Sequence, residues 1–93
     1  MTGDTEASEI RRRRLYFRSA HRGSKELDLI LGPFAAKYLD GFTEAQLEKY
    51  ERLLETSDPE LYNWIVGRTS VPETAKSDVL ALLIAFDAAH RIP

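Results

Sequence analysis

The chain has 93 residues, which suits one compact domain, and its 43% hydrophobic residues can fill one modest core. It contains no cysteine, so disulfides, thiolate metal sites and cysteine nucleophiles are excluded. The formal charge of −2 hides a strong asymmetry: residues 1–9 carry −3, residues 10–25 carry +7 and residues 26–93 carry −6. A short basic block on an acidic body can steer a charged partner.

Targeting and membrane signals are weak. The longest nonpolar run, residues 79–86, is eight residues long, whereas roughly 20 are needed to span a bilayer. The first residues lack the basic and nonpolar regions of a secretory signal, and their acids argue against an intact mitochondrial presequence. We therefore expect a small soluble intracellular protein without membrane insertion. We treat residues 1–9 as a flexible acidic tail, residues 10–90 as a single helical domain and residues 91–93 as a C-terminal tail.

The first predicted helix runs from about residue 6 to residue 22. At 100° per residue, one side is nonpolar and is predicted to face the core: Ile10, Tyr16, Phe17 and Ala20. Another side collects four arginines: Arg11, Arg14, Arg18 and Arg22. Gly23 fits the left-handed stop that follows a helix, and Ser24 is a candidate N-cap for the next one.

The second and third helices are predicted over residues 25–39 and 44–55. In the second helix, the nonpolar residues that recur at the spacing of a buried face are Leu27, Ile30, Leu31, Phe34 and Tyr38. Pro33 cannot donate a hydrogen bond to the carbonyl of Leu29, so a kink or break is expected there. Thr43 and Gln46 form a capping box that begins the third helix. The residues of this helix predicted to face inward are Leu47, Tyr50 and Leu54.

The fourth helix is predicted over residues 59–66, with Leu61, Trp64 and Ile65 buried, and the fifth over about residues 74–89. Asp58 is interpreted as the cap of the fourth helix, Pro59 as its first residue and Trp64 as a core anchor. The fifth helix presents Val79, Leu82, Leu83 and Phe86 on one face. Because no segment alternates with the period of a strand, the sequence predicts an all-α, small five-helix bundle in a single domain.

Residues for catalysis are scarce. His21 and His90 are too few and too far apart in sequence for a metal motif, and both are interpreted as helix-terminal residues near free carbonyls. The glycines lie at helix ends or breaks rather than in a phosphate-binding loop, and the serines lack a neighbouring base. We expect no catalytic site and no metal site.

The basic block leaves three alternatives open. Its arginines can form a solvated face, bind a protein or anionic ligand, or grip nucleic acid. The acidic remainder of the chain would repel a duplex, which disfavours the third alternative. Arg18, Arg22, Gly23 and Glu26 are expected to meet at one exposed corner, where a glycine lets another chain approach closely. Favourable helix capping alone would also select almost the same residues at positions 22–26.

Three blocks of this sequence resemble one family, the small succinate dehydrogenase assembly factors called SdhE in bacteria. The corner resembles its RGxxE signature: Arg22-Gly23-Ser24-Lys25-Glu26. Residues 27–34 are similar to its second-helix block, and residues 58–65 to its DPxLxxW-like segment. The resemblance covers about residues 10–90. One departure is His21, where related sequences often carry Arg or Lys.

The resemblance implies a non-catalytic chaperone for a flavoenzyme. Such factors bind the flavoprotein subunit of succinate dehydrogenase, sometimes of fumarate reductase, and promote covalent attachment of FAD to a histidine of that client. FAD is then carried by the client, not bound stably by the factor. A monomer in the bacterial cytoplasm is expected, rather than in the mitochondrial matrix. The alternative is a small nucleic-acid-binding or regulatory adaptor.

The residues of the expected client-binding surface follow from the corner and the basic stripe: Arg14, Arg18, His21, Arg22, Gly23 and Glu26. Arg22 is expected to pair with a carboxylate of the client, and Glu26 to orient Arg22 or receive a client base. Residues with structural roles are a second set: Pro33, Asp58, Pro59 and Trp64.

Overall fold

The structure, a computed structural model, describes the backbone of residues 2–90 and the side chains of residues 7–90. Within that range the chain is helical and contains no strand. Five α-helices follow one another: α1 (Thr2–Ala20), α2 (Lys25–Tyr38), α3 (Glu44–Leu54), α4 (Asp58–Val66) and α5 (Asp78–His90). Short 3-10 turns at Leu39–Gly41 and Glu73–Ala75 precede α3 and α5. The predicted all-α five-helix bundle is confirmed.

Two of the predicted boundaries differ from the observed ones. α1 begins at Thr2, so residues 2–9, predicted as a flexible tail, continue the first helix. Met1 and the predicted C-terminal tail, residues 91–93, lie outside the described residues. α2 passes through Pro33, so the break that was one of the two expected outcomes does not occur. Pro33 is solvent-exposed, so the Leu29 carbonyl that it leaves without a donor can be hydrated on the outer side of the helix.

Capping chemistry marks the start of α3 and the end of α4. The Gln46 backbone N–H donates to Thr43 Oγ1 at 3.2 Å, and the Thr43 N–H donates to Gln46 Oε1 at 3.0 Å. These two bonds form the capping box of α3. α4 ends before Gly67, whose φ of 81° supplies the left-handed stop.

Nonpolar side chains of α2 to α5 form most of the core. Phe34 is its aromatic centre, with ring centroids 5.7 Å from Tyr50 and 5.5 Å from Phe86. Trp64 and Leu61 of α4 are buried as well. The remaining buried members of α2, α3, α4 and α5 are Leu27, Leu31, Ala35, Leu47, Leu53, Leu54, Ile65, Val79, Leu80 and Leu83. The predicted inner faces of these four helices are therefore largely confirmed.

α1 is the exception, because its nonpolar side faces solvent. Ile10, Tyr16 and Phe17 are 52%, 46% and 63% exposed, so their predicted place in the core is wrong. The inner face of α1 carries Leu15 and Ser19, both buried. Ala20 is half-buried and lies beside α2.

Polar contacts hold this inner face against the rest of the bundle. Arg12 donates from Nε to the Leu39 carbonyl at 2.9 Å and from Nη2 to the Phe42 carbonyl at 2.7 Å. Arg11 pairs with Glu44 at 3.3 Å and Glu51 at 2.8 Å. Arg12 therefore joins α1 to the turn that follows α2, and Arg11 joins it to α3.

A buried hydroxyl pair joins α1 to α3. Ser19 Oγ donates to the Leu15 carbonyl at 2.7 Å and lies 2.5 Å from the Tyr50 hydroxyl. Burial raises the pKa of Tyr50 to about 12, although the Ser19 bond and the charges of Arg22 and Arg18 act in the opposite direction. The phenol therefore stays neutral near pH 7, because the effect of burial outweighs that of the two positive charges.

Candidate functional site

The corner between α1 and α2 is formed by Gly23. Its φ is 96°, in the left-handed region that favours glycine, as the sequence predicts. A Cβ added there would have no heavy atom within 4 Å, so the backbone at this point faces open space. Ser24 occupies the N-cap position of α2, although its side chain does not cap the helix. Another chain can therefore approach the Gly23 backbone closely.

Arg22, next to that glycine, points into the protein. Its Nε donates to Asp58 Oδ1 at 2.7 Å, and its side chain is only 12% exposed. Nη1 donates to the Leu54 carbonyl and Nη2 to the Thr56 carbonyl, both at 2.5 Å. Its backbone N–H donates to Asp28 Oδ1 at 2.8 Å. The guanidinium thus joins the α1–α2 corner to the end of α3 and the start of α4.

This geometry corrects the expected roles of two residues. Arg22 was expected on an exposed corner, but its donors are already directed at Asp58 and two carbonyls. Asp58 was expected to cap α4, whereas Ser57 occupies the N-cap position and Asp58 is the ion-pair partner of Arg22. Free carbonyls at the end of α3 attract the guanidinium because the last turn of a helix leaves acceptors unpaired.

Sequence reasoning missed the partners of Arg22. Asp58 follows it by 36 positions and the Leu54 carbonyl by 32, so no helical spacing connects them. Asp28 is closer, six residues along the chain, and its place in the first turn of α2 is the signal that could have indicated it.

Glu26 remains on the outside of the corner. It is exposed and accepts a long hydrogen bond of 3.4 Å from Ser24 Oγ, rather than orienting Arg22 as expected. A surface cleft of about 380 Å³ adjoins it, lined by Ser24, Glu26, Asp58, Pro59, Tyr62 and Arg68. Arg68 lies over the Tyr62 ring, 5.7 Å from its centroid. The open glycine, the exposed carboxylate and this cleft lie together on the outer surface of the corner.

The predicted arginine stripe is divided between two sides of α1. Arg11 and Arg22 face the bundle and form ion pairs there. Arg14 is exposed and Arg18 is half-buried. A continuous four-arginine face for nucleic acid is therefore not present.

His21 lies outside, beside the corner. It is exposed, and its ring centroid is 4.3 Å from that of Phe17. His90, by contrast, places Nδ1 2.8 Å from the Phe86 carbonyl at the end of α5. Of the predicted client-binding residues, the structure brings Gly23, His21 and Glu26 to the outer surface of one corner, with Arg14 further along α1.

The expected structural residues of α4 have clear positions. Pro59 lies in the first turn, where its missing N–H would have no helical acceptor. Trp64 is buried, with 8% of its surface exposed. Both fit the folding roles that the sequence indicated for them.

The described residues offer little for metal binding or membrane spanning. Across residues 7–90 no group of three or more His, Cys, Asp or Glu side chains is arranged to hold a metal ion. None of the helices described is long and nonpolar enough to cross a bilayer.

The class of protein defined by this fold is a small all-α bundle, and a family of such proteins matches it in sequence. A family model described as "Flavinator of succinate dehydrogenase" matches residues 13–87. The chain belongs to this family. The matched segment includes the whole corner, α2, α3, α4 and most of α5.

Individual relatives carry matching names. A Dictyostelium discoideum protein named "Succinate dehydrogenase assembly factor 2, mitochondrial" is 42% identical over 82 residues, 86% of this chain. A protein of the same name from Scheffersomyces stipitis is 41% identical over 86 residues, 89% of this chain. The "FAD assembly factor SdhE" of Acetobacter pasteurianus is 40% identical over 74 residues, 80% of this chain and 68% of its own length. The chain spans 58% of the length of each of the first two relatives.

Proposed function

We propose that this chain is an assembly factor that binds the flavoprotein subunit of succinate dehydrogenase and promotes covalent attachment of FAD to it. The observation that carries the proposal is the Gly23 corner, which is open to close approach and lies inside the segment matched by the family. The flavoprotein of fumarate reductase is a second candidate client, because covalent attachment of FAD would be required in that protein as well. The chain acts by binding and has no catalytic turnover of its own.

We propose different tasks for the neighbouring residues of the corner. Gly23 gives the client close access to backbone, and Glu26 presents an exposed carboxylate to a basic group of the client. Arg22 holds the corner from inside, because it binds Asp58 and the end of α3. Contact with the client is therefore assigned to Gly23, Glu26 and His21, and support of the corner to Arg22.

Promotion of flavin attachment follows from selective binding. A binder shifts a client toward one conformation only to the extent that it binds that conformation more tightly. The rigid α1–α2 corner can act as a wedge that favours the client geometry needed for attachment. In this mechanism FAD stays with the client, and this chain works as a monomer without stably bound cofactor.

A cytoplasmic location in a bacterium is proposed for this chain. The bacterial relative supports it, with 40% identity over 80% of this chain. Other relatives carry names that place them in mitochondria. Fractionation of the source cells, with the chain detected by antibody, would decide between the two compartments.

Covalent flavin loading tests the proposed function directly. The flavoprotein subunit is expressed with and without this chain, denatured in acid, and the flavin fluorescence retained on the protein is measured. We expect higher retention when the wild-type chain is present. Equal retention in both samples, without a complex on a sizing column, would refute the proposal.

A pair of glycine variants shows whether the corner carries the effect. Gly23→Val places a bulky side chain on the open corner, and we expect it to abolish the increase in flavin loading. Gly67→Val is the matched control, because Gly67 also has a positive φ of 81° and open space at its Cβ. Full loading with both variants would exclude the corner as the contact, while the wild-type effect would still support the function.

A further inference from the structure

α1 carries a nonpolar stripe on its solvent side. Ile10 and Phe17 are 52% and 63% exposed, and Arg14 and His21 share their side of the helix. These four positions recur at intervals of three or four residues, so they lie in one row. His21 extends the row to the corner through its ring contact with Phe17.

α2 adds a second nonpolar row beside the first. Leu29, Pro33 and Ala36 recur at intervals of four and three, and all are exposed, Leu29 by 67%. The two helices meet closely, since a Cβ on Gly32 would lie 3.7 Å from Ala20 Cβ.

A cleft of about 440 Å³ lies between the two helices, lined on the α1 side by Arg13 and Tyr16, which flank the first row, and on the α2 side by Ala36 of the second row. The rows therefore belong to one region. We call this region the hairpin surface: Ile10, Tyr16, Phe17, Leu29, Pro33 and Ala36.

The hairpin surface gathers all the strongly exposed large hydrophobic residues found in the described part of the chain, Ile10, Tyr16, Phe17 and Leu29. Single exposed nonpolar residues are ordinary, but a cluster bordered by polar residues marks an interaction site. Its border is basic: Arg13 and Arg14 are exposed, and Arg18 is half-buried. Within residues 7–90, none of these three arginines forms an ion pair, unlike Arg11 and Arg22.

We infer that the hairpin surface docks an amphipathic acidic segment of the client flavoprotein. Nonpolar side chains of that segment cover Phe17 and Leu29, and its carboxylates pair with Arg13 and Arg14. This inference rests on the proposed function and extends its contact from the Gly23 corner along both helices. Arginine and aromatic residues are the types that dominate binding energy at protein interfaces.

Charge complementarity selects an acidic partner. Two copies of this chain related by a two-fold axis would bring Arg13 and Arg14 of one copy against those of the other. Repulsion between these like charges would weaken the dimer. Carboxylates on the client would instead attract the arginines and set the orientation of the chain. Continuity with the Gly23 corner through His21 makes the client the occupant that fits both regions.

The test is an affinity titration with the purified flavoprotein subunit that lacks covalent flavin. Phe17→Ser and Leu29→Ser are each expected to weaken binding at least about tenfold, the loss typical of a central interface residue. Arg14→Glu should weaken binding most at low salt and less at high salt, because its contribution is electrostatic. Arg52→Glu is the matched control, since Arg52 is 73% exposed on α3 and the charge change is the same.

Each outcome of this titration has a definite meaning. Wild-type binding that Phe17→Ser and Leu29→Ser leave unchanged would overturn the docking surface but not the proposed function. Failure of the wild-type chain to bind the subunit would overturn both. Self-association on a sizing column, or binding to vesicles of anionic phospholipid, that Phe17→Ser abolishes while client affinity stays intact would assign the surface to another partner.

Discussion

α1 and α5 pack against the same bundle by different chemistry. α5 buries Val79, Leu80, Leu83 and Phe86, a nonpolar face that removes hydrocarbon from water. α1 buries Leu15 and Ser19, and its Arg11 and Arg12 bind carboxylates of α3 and carbonyls of the turn before it. A nonpolar pattern predicts the inner face only where nonpolar burial provides the attachment.

The different attachment of the two helices has a consequence for function. Because α1 is attached through polar groups, its nonpolar residues are left for the outside, next to the open glycine. α5 leaves no comparable nonpolar residue strongly exposed among those described. The helix with the inverted pattern is therefore the one that offers a binding surface.

Replacing one aromatic residue in each region should give the largest contrast. Trp64→Ala should lower the free energy of unfolding by about 3–5 kcal/mol, because the ring is buried and its loss leaves a cavity. Phe17→Ala should change it by less than about 0.5 kcal/mol, since Phe17 is 63% exposed. Denaturant unfolding measures both, and equal losses would show that α1 buries its nonpolar side after all.

The arginines of α1 provide the next test. Arg22→Ala should lower the free energy of unfolding by about 3 kcal/mol. The substitution removes the guanidinium that donates hydrogen bonds to Asp58 and to two carbonyls. Arg14→Ala, on the exposed side, should have almost no effect. Arg22→Lys keeps the charge but loses the planar fork, so a partial loss is expected. Identical unfolding curves for Arg22→Ala and Arg14→Ala would contradict an inward Arg22.

Alkaline pH should weaken the contact between α1 and α3. The pKa of Tyr50 is about 12 in the folded protein and 10.0 without burial, so the unfolded chain loses this proton first. The contribution is fully present below pH 10 and is lost as the pH rises toward 12, by about 2–3 kcal/mol. Tyr50→Phe should remove this part of the pH dependence. A parallel decline in both proteins would show that other groups cause it.

The two positive-φ glycines should have similar, smaller effects on stability. Gly23→Ala and Gly67→Ala should each lower the free energy of unfolding by about 1–2 kcal/mol, because a Cβ is strained at φ of 96° and 81° although it meets no other atom. Thermal unfolding of the two variants measures this. A much larger loss at Gly23 would mean that the corner is packed rather than open.

Sequence reasoning succeeded where the determinants were local. The Thr43–Gln46 capping box, the stop at Gly67 and the positive φ of Gly23 each depend on a few adjacent residues. Spacing also predicted the inner faces of α2 to α5, because hydrocarbon burial dominates there. The resemblance of residues 22–26 to a family signature located the corner.

The remaining features depend on contacts between distant residues. The Arg22–Asp58 pair joins positions 36 apart, and the carbonyls that Arg12 and Arg22 bind carry no sequence signal, since every residue has one. These bonds fix which side of α1 faces the bundle, and the nonpolar side of α1 is therefore left facing solvent. Sequence could therefore identify Arg22 as important but assigned it to the client rather than to the interior.

The central claim is that the outer residues of one corner bind the client while Arg22 supports the corner from within. It is tested most directly by measuring unfolding and client affinity on the same preparations of Glu26→Ala and Arg22→Ala. Glu26→Ala should weaken client binding and leave the free energy of unfolding unchanged, whereas Arg22→Ala should lower that free energy. Loss of client binding by Arg22→Ala with unaltered unfolding, together with wild-type binding by Glu26→Ala, would contradict the account.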